Sequence, residues 1–328
     1  HDLAVVAEIA DKIVVMQNGQ IVETAKTEVL LYNMKHPYTR ALFNASTHRV
    51  VMPDVITSGT LLSVDSVVRT YSLPRNGILG SRPNFNALDN VSFNISHGER
   101  VGLVGESGCG KSTLTRAILG VEDVQSGWIK LDGEPVFSGK RPNIDVRRKM
   151  QVVFQDPYSS FNPRHRVDRL IAEPLHVLEN APVGKLKDLA ILKALDDVGL
   201  MASDAKKFIH EFSGGQRQRI AIARALIIEP ELIIFDEAVS ALDVSVRAQV
   251  LDLIAELCHK RPLAYLFISH DLSVVRTVTD RVMIMRAGKI VEHGETEKVF
   301  TNPQNAYTKT LIAAAPRLPE ITYAIEPV

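Results

Sequence analysis

The sequence is poor in several features that would assign it to large classes of protein. Only two of its 328 residues are cysteine, Cys109 and Cys258, too few and too far apart for a metal cluster or a disulfide framework. They fit reduced thiols in a reducing compartment. Neither sign of charge is in excess: Lys+Arg and Asp+Glu each total 38, so the formal net charge is zero. Nucleic acid is therefore not an expected partner, because phosphate backbones are gripped by a basic excess or stripe. No apolar run reaches the ~18 residues that a helix needs to cross a bilayer. What remains is an ordinary balance, 45% hydrophobic and 23% charged, enough to bury a core in about two domains. The chain opens on His1 rather than Met, which fits a piece of a longer polypeptide.

The strongest positive feature is the run Gly105-Glu106-Ser107-Gly108-Cys109-Gly110-Lys111-Ser112-Thr113. It follows the apolar Val101–Val104, which reads as a buried strand, and precedes Leu114–Leu119, which reads as a helix. Strand, GxxxxGK[ST] and helix in that order make a phosphate-binding loop. Glycines let consecutive N–H groups curl inward on anionic oxygens. The helix N-terminus behind them adds a positive dipole end. Lys111 supplies a full charge to the β- and γ-phosphates, and the Ser112 hydroxyl can ligate Mg²⁺. A nucleoside triphosphate is the expected ligand.

The sequence also repeats itself. Residues 1–45 align with 270–314 at a constant offset of 269 without a gap, and 18 of those 45 positions are identical. His1-Asp2-Leu3 pairs with His270-Asp271-Leu272, Gly19 to Glu23 with Gly288 to Glu292, and Tyr38-Thr39 with Tyr307-Thr308. Two tandem copies of one domain are the direct expectation. Residues 1–49 read as the C-terminal remnant of a first copy that begins before His1, and 50–60 as a linker. Residues 61–300 read as a complete second copy, and 301–328 as a C-terminal extension.

Within the complete copy, strand character is expected over 61–71, 89–99, 128–133 and 152–155, with a Pro/Gly/Asn-rich loop over 74–86. Residues 167–178 and 186–198 carry helical periodicity, which predicts a helical insert over about 157–212. The short apolar runs 232–235 and 264–268 suit parallel strands buried on both faces. Alternating strands and helices imply an α/β architecture with functional residues at the carboxyl ends of strands.

Four further motifs follow the loop in order. Phe212-Ser213-Gly214-Gly215-Gln216 opens a helix expected to run through Arg224 to Ile228. Asp236-Glu237 closes the 232–235 strand, Ser240-Ala241-Leu242-Asp243 comes next, and His270 follows the 264–268 strand. This ordered set resembles the ATP-binding cassette (ABC) ATPases, with Phe212 in place of the commoner Leu. The resemblance implies a P-loop NTPase fold: a RecA-like parallel sheet core, an antiparallel β subdomain and the helical insert. It implies ATP and Mg²⁺ as ligands.

The roles of single residues follow from the resemblance. Glu237 is the general base toward the attacking water, and the other reading of this pair is a solvated acidic turn. His270, otherwise a core histidine, contacts the γ-phosphate. Gln155, otherwise a plain strand-end amide, touches Mg²⁺ and the water. Mg²⁺ would be held by Ser112, Gln155 and Asp236. Tyr71 reads either as core or as an aromatic platform under adenine. Ser213 to Gln216, a capped helix N-terminus, is a second anion site that acts in trans on the nucleotide of a partner cassette. Ser240 to Asp243 form the family's D-loop. Ala238 stands where many members have Pro, which leaves the turn less stiff.

The segments Val153 to Arg164 and Glu211 to Ile220, and the tails around Tyr38 and Tyr307, look like the subfamily serving bacterial oligopeptide, dipeptide, nickel and glutathione importers. That implies an ATPase subunit, peripheral on the cytoplasmic face of the inner membrane. Its partners would be a second cassette in the same intact polypeptide, two transmembrane permease subunits and, indirectly, an extracytoplasmic solute-binding protein. A non-transport ABC ATPase is the alternative, and a small-molecule kinase has no use for Ser213 to Gln216. With no cysteine after Cys258, an iron–sulfur cluster in the tail is not expected. Lys111→Ala should abolish ATP binding measured by titration calorimetry; tight binding by that variant would remove the loop as the site.

Overall fold

The computed structural model describes residues 3–54, 57–72, 83–316 and 318. His1, the first member of the repeated histidine pair, lies outside the described residues, as do most of the expected 74–86 loop and the end of the C-terminal extension.

The N-terminal segment folds as helix α1 (Leu3–Ile9), strands β1 (Lys12–Gln17) and β2 (Gln20–Lys26), and helices α2 (Thr27–Tyr32) and α3 (Pro37–Ser46). A long antiparallel ribbon follows, β3 (Ser58–Ser72) with β4 (Asn84–His97), then β5 (Arg100–Val104) and α4 (Lys111–Ile118). β4 starts five residues earlier than its sequence suggests. The cause is pairing: Ser72 meets Asn84 and Tyr71 meets Phe85 across the ribbon. Strands β6 (Ser126–Leu131) and β7 (Glu134–Pro135) complete a four-stranded antiparallel sheet of order β4-β3-β6-β7. A small hairpin, β8 (Phe137–Ser138) and β9 (Arg141–Pro142), leads through α5 (Ile144–Arg148) to β10 (Met150–Phe154).

Between β10 and the next helix of the core lie helices and turns, including α6 (Val167–Ala172) and α7 (Lys185–Asp197). The helix expected over 167–178 divides, with 3₁₀ geometry over Glu173–Val177. Pro174 is the reason, since it has no N–H to give an α-helical bond. Helix α8 (Gly214–Leu226) then ends two residues short of Ile228, ahead of a left-handed Glu229 and Pro230. The core closes with β11 (Leu232–Asp236), α9 (Val244–Lys260), β12 (Ala264–Ile268), α10 (Leu272–Val278), β13 (Arg281–Arg286) and β14 (Lys289–Glu295). Helices α11 (Thr296–Thr301) and α12 (Ala306–Ala314) follow.

The central sheet has the order β10-β11-β12-β5-β13-β14, parallel except for β14. Both faces of β5, β11 and β12 are buried, so these strands read as near-continuous apolar runs. Alternate residues divide between two cores: Ile233, Phe235, Tyr265 and Phe267 face the helices, while Leu232, Ile234, Leu266 and Ile268 face the antiparallel sheet. Phe235 packs edge-on against Tyr265 at 5.5 Å between ring centroids. At the opposite end of β5, Arg100 makes a two-pronged pair with Asp280 at 2.6 and 2.7 Å.

The sequence repeat is also structural. β1 pairs with β2 as β13 pairs with β14, residue for residue at the same offset, including a bulge after Val15 and after Ile284. Glu23 accepts from Lys35 N and His36 N, and Glu292 accepts from Gln304 N and Asn305 N. The N-terminal segment lies against the core through α3 and α9, with His48 Nε2 2.7 Å from Asp252 Oδ1.

β5 can pass close beneath α10 because residue 102 is glycine. A Cβ there would stand 2.5 Å from Val275 Cγ1 and 3.2 Å from Thr279 Oγ1. Gly102→Ala should therefore cost about 1–3 kcal/mol of stability through overpacking, read as a lower urea midpoint with unchanged slope.

Candidate nucleotide site

Sheet register brings the expected site together. Phe154 stands opposite Asp236, Asp236 opposite Ile268, and Ile268 opposite Leu103. The next residues along these neighbouring strands are Gln155, Glu237, Ser269 and Val104, followed by His270 and Gly105. All therefore emerge at one edge, the carboxyl end of a parallel sheet.

The phosphate loop turns so tightly that two of its glycines have no room for a side chain. A Cβ on Gly105 would lie 2.2 Å from the Met285 carbonyl oxygen, and one on Gly110 2.2 Å from that of Ala87. Gly108 and Gly110 hold φ of 79° and 115°, a region disfavoured for L side chains. Gly288 N donates to Cys109 O at 2.9 Å and ties the β13–β14 turn to the loop. The Lys111 ammonium is directed back over the loop, donating to Gly105 O at 2.6 Å and Glu106 O at 3.1 Å. Ser112 is exposed on the first turn of α4, Thr113 is half-buried beside it, and Ser107 is exposed at the loop's crest. Burial pushes the Cys109 thiol up, so inside this loop it stays protonated.

Glu237 takes φ of 53°, the left-handed region, just after β11. This turns its side chain out of the sheet toward His270, whose Nδ1 is 2.7 Å from Glu237 Oε2. A carboxylate only accepts, so His270 donates from Nδ1 and keeps Nε2 free. A non-glycine residue held at positive φ is strain of a kind that gathers at functional sites. Asp236 is pushed up, first by burial and then by the charge of Glu237, and Lys111 and Arg116 offset this only in part. Ser112, Asp236 and Gln155 carry hard oxygen donors of the kind that suits Mg²⁺, and the glycine cradle suits a phosphate chain.

The other expected residues group elsewhere. Ser213 caps α8, accepting from Gln216 N at 3.4 Å, while Gln216 Oε1 accepts from Ser213 N at 3.0 Å, a capping box. Gly215 abuts α9, where a Cβ would meet Val246 Cγ1 at 2.3 Å, and a Cβ on Gly214 would face Leu242 at 3.9 Å. The capped helix start therefore neighbours the Ser240–Asp243 turn. Ser240 N and Oγ both donate to Glu237 O, and Asp243 begins α9. Ala241 stands within that turn, and Ala238 is buried. Tyr71 sits under the Arg69 guanidinium at 5.0 Å, and its hydroxyl donates to Glu122 at 2.7 Å.

Two sets of contacts have no counterpart in the sequence reading. Arg217 lies 4.9 Å over the Tyr158 ring, and Arg224 lies 4.5 Å over Phe161 while donating to Ser160 O. Both arginines hold the segment after Gln155 onto α8, and their seven-residue spacing is the signal that could have revealed a shared face. In addition, Tyr307 reaches the phosphate loop from the C-terminal extension.

Comparison with known proteins finds relatives of one family. The ABC transporter family matches residues 88–240. The family described as oligopeptide/dipeptide transporter, C-terminal region, matches twice, at 22–51 and 291–326. The glutathione import ATP-binding protein GsiA of Escherichia coli K12 is 41% identical over 343 residues, covering 96% of this chain and 55% of that protein. An uncharacterised ABC transporter ATP-binding protein of the same strain, YejF, is 43% identical over 315 residues, covering 95% of this chain and 59% of that one. The chain thus spans about half the length of the curated relatives it matches. Among solved structures, cbiO1 from Clostridium perfringens, part of the ABC transporter complex cbiONQ, superposes with TM-score 0.63 at 26% identity, covering 75% of this chain and 92% of that chain. The ATP-binding cassette MJ0796, solved as a post-hydrolysis dimer bound to ADP and Pi, gives 0.62 at 26%, covering 72% and 99%.

Because Asp236 titrates above its unfolded value, its charge destabilises the fold. That cost is fully present above the folded-state pKa and vanishes below the unfolded value of about 3.9. Asp236→Asn should then be more stable than the parent at pH 7.5, by on the order of 1 kcal/mol, with the gap narrowing as the pH falls. Urea melts at two pH values measure this, and equal or lower stability at pH 7.5 would refute it.

Proposed function

The chain belongs to the ABC transporter ATP-binding family, and from that premise we propose that it binds and hydrolyses ATP to power an importer of peptides or a related small solute. The observation that carries this reading is the Glu237–His270 pair, 2.7 Å apart, at the strand ends beside the phosphate loop. The C-terminal region shared with oligopeptide and dipeptide transporters, and GsiA's role in glutathione import, support the solute class.

In this reading Lys111 and the N–H groups of residues 105 to 113 hold the phosphate chain, and Tyr71 lies under the base. Ser112, Asp236 and Gln155 would hold Mg²⁺, which when bound neutralises phosphate charge. Glu237 orients and polarises the attacking water, and His270 fixes the Glu237 carboxylate through Nδ1 while presenting Nε2 to the site. Catalysis is then positioning and electrostatic stabilisation of an in-line attack.

The capped start of α8, Ser213 to Gln216, serves the nucleotide of a second cassette, and the Ser240–Asp243 turn links the two halves. MJ0796 was solved as a dimer, which supports that pairing. Residues 1–49 are proposed as the end of a first cassette, 61–300 as a complete one and 301–328 as its extension. Among the described residues no helix is long and apolar enough to cross a membrane. In the importer reading, two permease subunits gripped by the helical insert make the membrane contact at the cytoplasmic face, with a solute-binding protein acting indirectly.

Glu237→Gln tests the chemistry. It should retain MgATP binding and lose about 10²-fold or more in phosphate release. Turnover equal to the parent would exclude Glu237 as the base.

A further inference from the structure

We infer that Tyr307, on the C-terminal extension, is a positioning residue for the phosphate loop and sets its affinity for nucleotide. The inference rests on the site reading above and adds to it a second element that controls the same loop.

One peptide unit, between Gly105 and Glu106, is held from both sides. The Glu106 N–H donates to the Tyr307 hydroxyl oxygen at 3.3 Å. The carbonyl of the same peptide, that of Gly105, accepts from the Lys111 ammonium at 2.6 Å. In a trans peptide the N–H and C=O point to opposite sides of the chain. Tyr307 therefore holds this plane from outside the loop while Lys111 holds it from inside. Rotating the plane would carry the Gly105 carbonyl away from Lys111 and release the ammonium that the phosphate chain must find in place.

Tyr307 is itself held firmly. It is 7% exposed, and the Arg286 guanidinium covers its ring at 4.6 Å. Asn305 accepts from Tyr307 N at 2.9 Å and starts α12. Glu292 on β14 receives the Gln304 and Asn305 N–H groups at 2.7 and 3.1 Å, fixing that start to the central sheet. β14 pairs with β13, and β13 with β5, the strand that leads into the loop. The phenol thus reaches Glu106 from the same rigid frame that carries the loop. Burial pushes the hydroxyl's titration up, so it remains a neutral phenol at physiological pH. The equivalent tyrosine of the repeat, Tyr38, packs on the N-terminal segment's own core and is the internal control.

The test compares the chain with Tyr307→Phe and Tyr38→Phe, using MgATP in titration calorimetry, phosphate release and hydrogen exchange. Tyr307→Phe keeps the ring under Arg286 and deletes only the hydroxyl. It should weaken MgATP binding about three- to tenfold, the effect of one net hydrogen bond. Its kcat and melting temperature should stay near the parent's, and amide exchange across residues 105–110 should speed up. Tyr38→Phe should change none of these. MgATP affinity within twofold of the parent in Tyr307→Phe, or a loss confined to kcat, would overturn the inference while leaving the site reading intact. Failure of the parent chain to bind MgATP would overturn both.

Discussion

A phosphate cradle works only where backbone can approach backbone more closely than side chains permit, and this constraint organises the core. Gly105 lies against the Met285 carbonyl and Gly110 against that of Ala87, at distances no Cβ could share. The loop is therefore pressed between the β13–β14 turn and the start of β4. Gly288 acts from the other side. At φ of 79° it turns the hairpin so that its N–H meets Cys109 O and its carbonyl accepts from Asp89 N. Loop, hairpin and antiparallel sheet consequently form one unit. Movement in any of them is felt by the N–H groups that face an anion.

The second constraint is parallel register. β5, β11 and β12 are largely apolar runs buried on both faces, so a functional polar group within their length would carry a desolvation cost. Polar chemistry is confined to the residue where a strand ends. Because the strands end in register, Gln155, Glu237, His270 and Gly105 emerge together although they lie far apart along the chain. Asp236, still inside the last rung, bears the cost of that position as a carboxyl pushed up by burial. The site thus lies where hydrophobic burial stops and ligand electrostatics begin.

That arrangement explains what the sequence made legible. The runs 232–235 and 264–268 could be recognised as doubly buried strands, and their next polar residues are those at the sheet's edge. The glycine loop, the capping box at Ser213 and the repeat are local patterns, so they too could be read directly. Pairing across a ribbon was not local: β4 begins at Asn84 because β3 reaches out to Ser72 to meet it. Nor were contacts made by long side chains between distant segments. Arg224 on Phe161 and Tyr307 on Glu106 join residues far apart in sequence, and no periodicity announces which segment faces which. Glu237's left-handed backbone was likewise hidden, because only the surrounding turn, with Ser240 bonding back to its carbonyl, makes that conformation hold.

The repeat shows how one sequence pattern depends on its neighbours. Val14 and Met16 on β1 are 48% and 56% exposed, whereas Met283 and Met285 at the equivalent places on β13 are fully buried. The hairpins are the same down to the bulge, so the difference lies in what lies beside them. β13 has β5 as a parallel neighbour, and its inward residues join the core beneath the antiparallel sheet. Among the described residues β1 pairs only with β2. The apolar stripe is common to both hairpins, and in the second its cover is β5 and the core beneath the antiparallel sheet. Because Val14 and Met16 are already about half covered, burying the rest of each would be worth only about 1 kcal/mol. The same alternation of residues is therefore core in one hairpin and surface in the other, decided by the strand beside it rather than by the hairpin's own sequence.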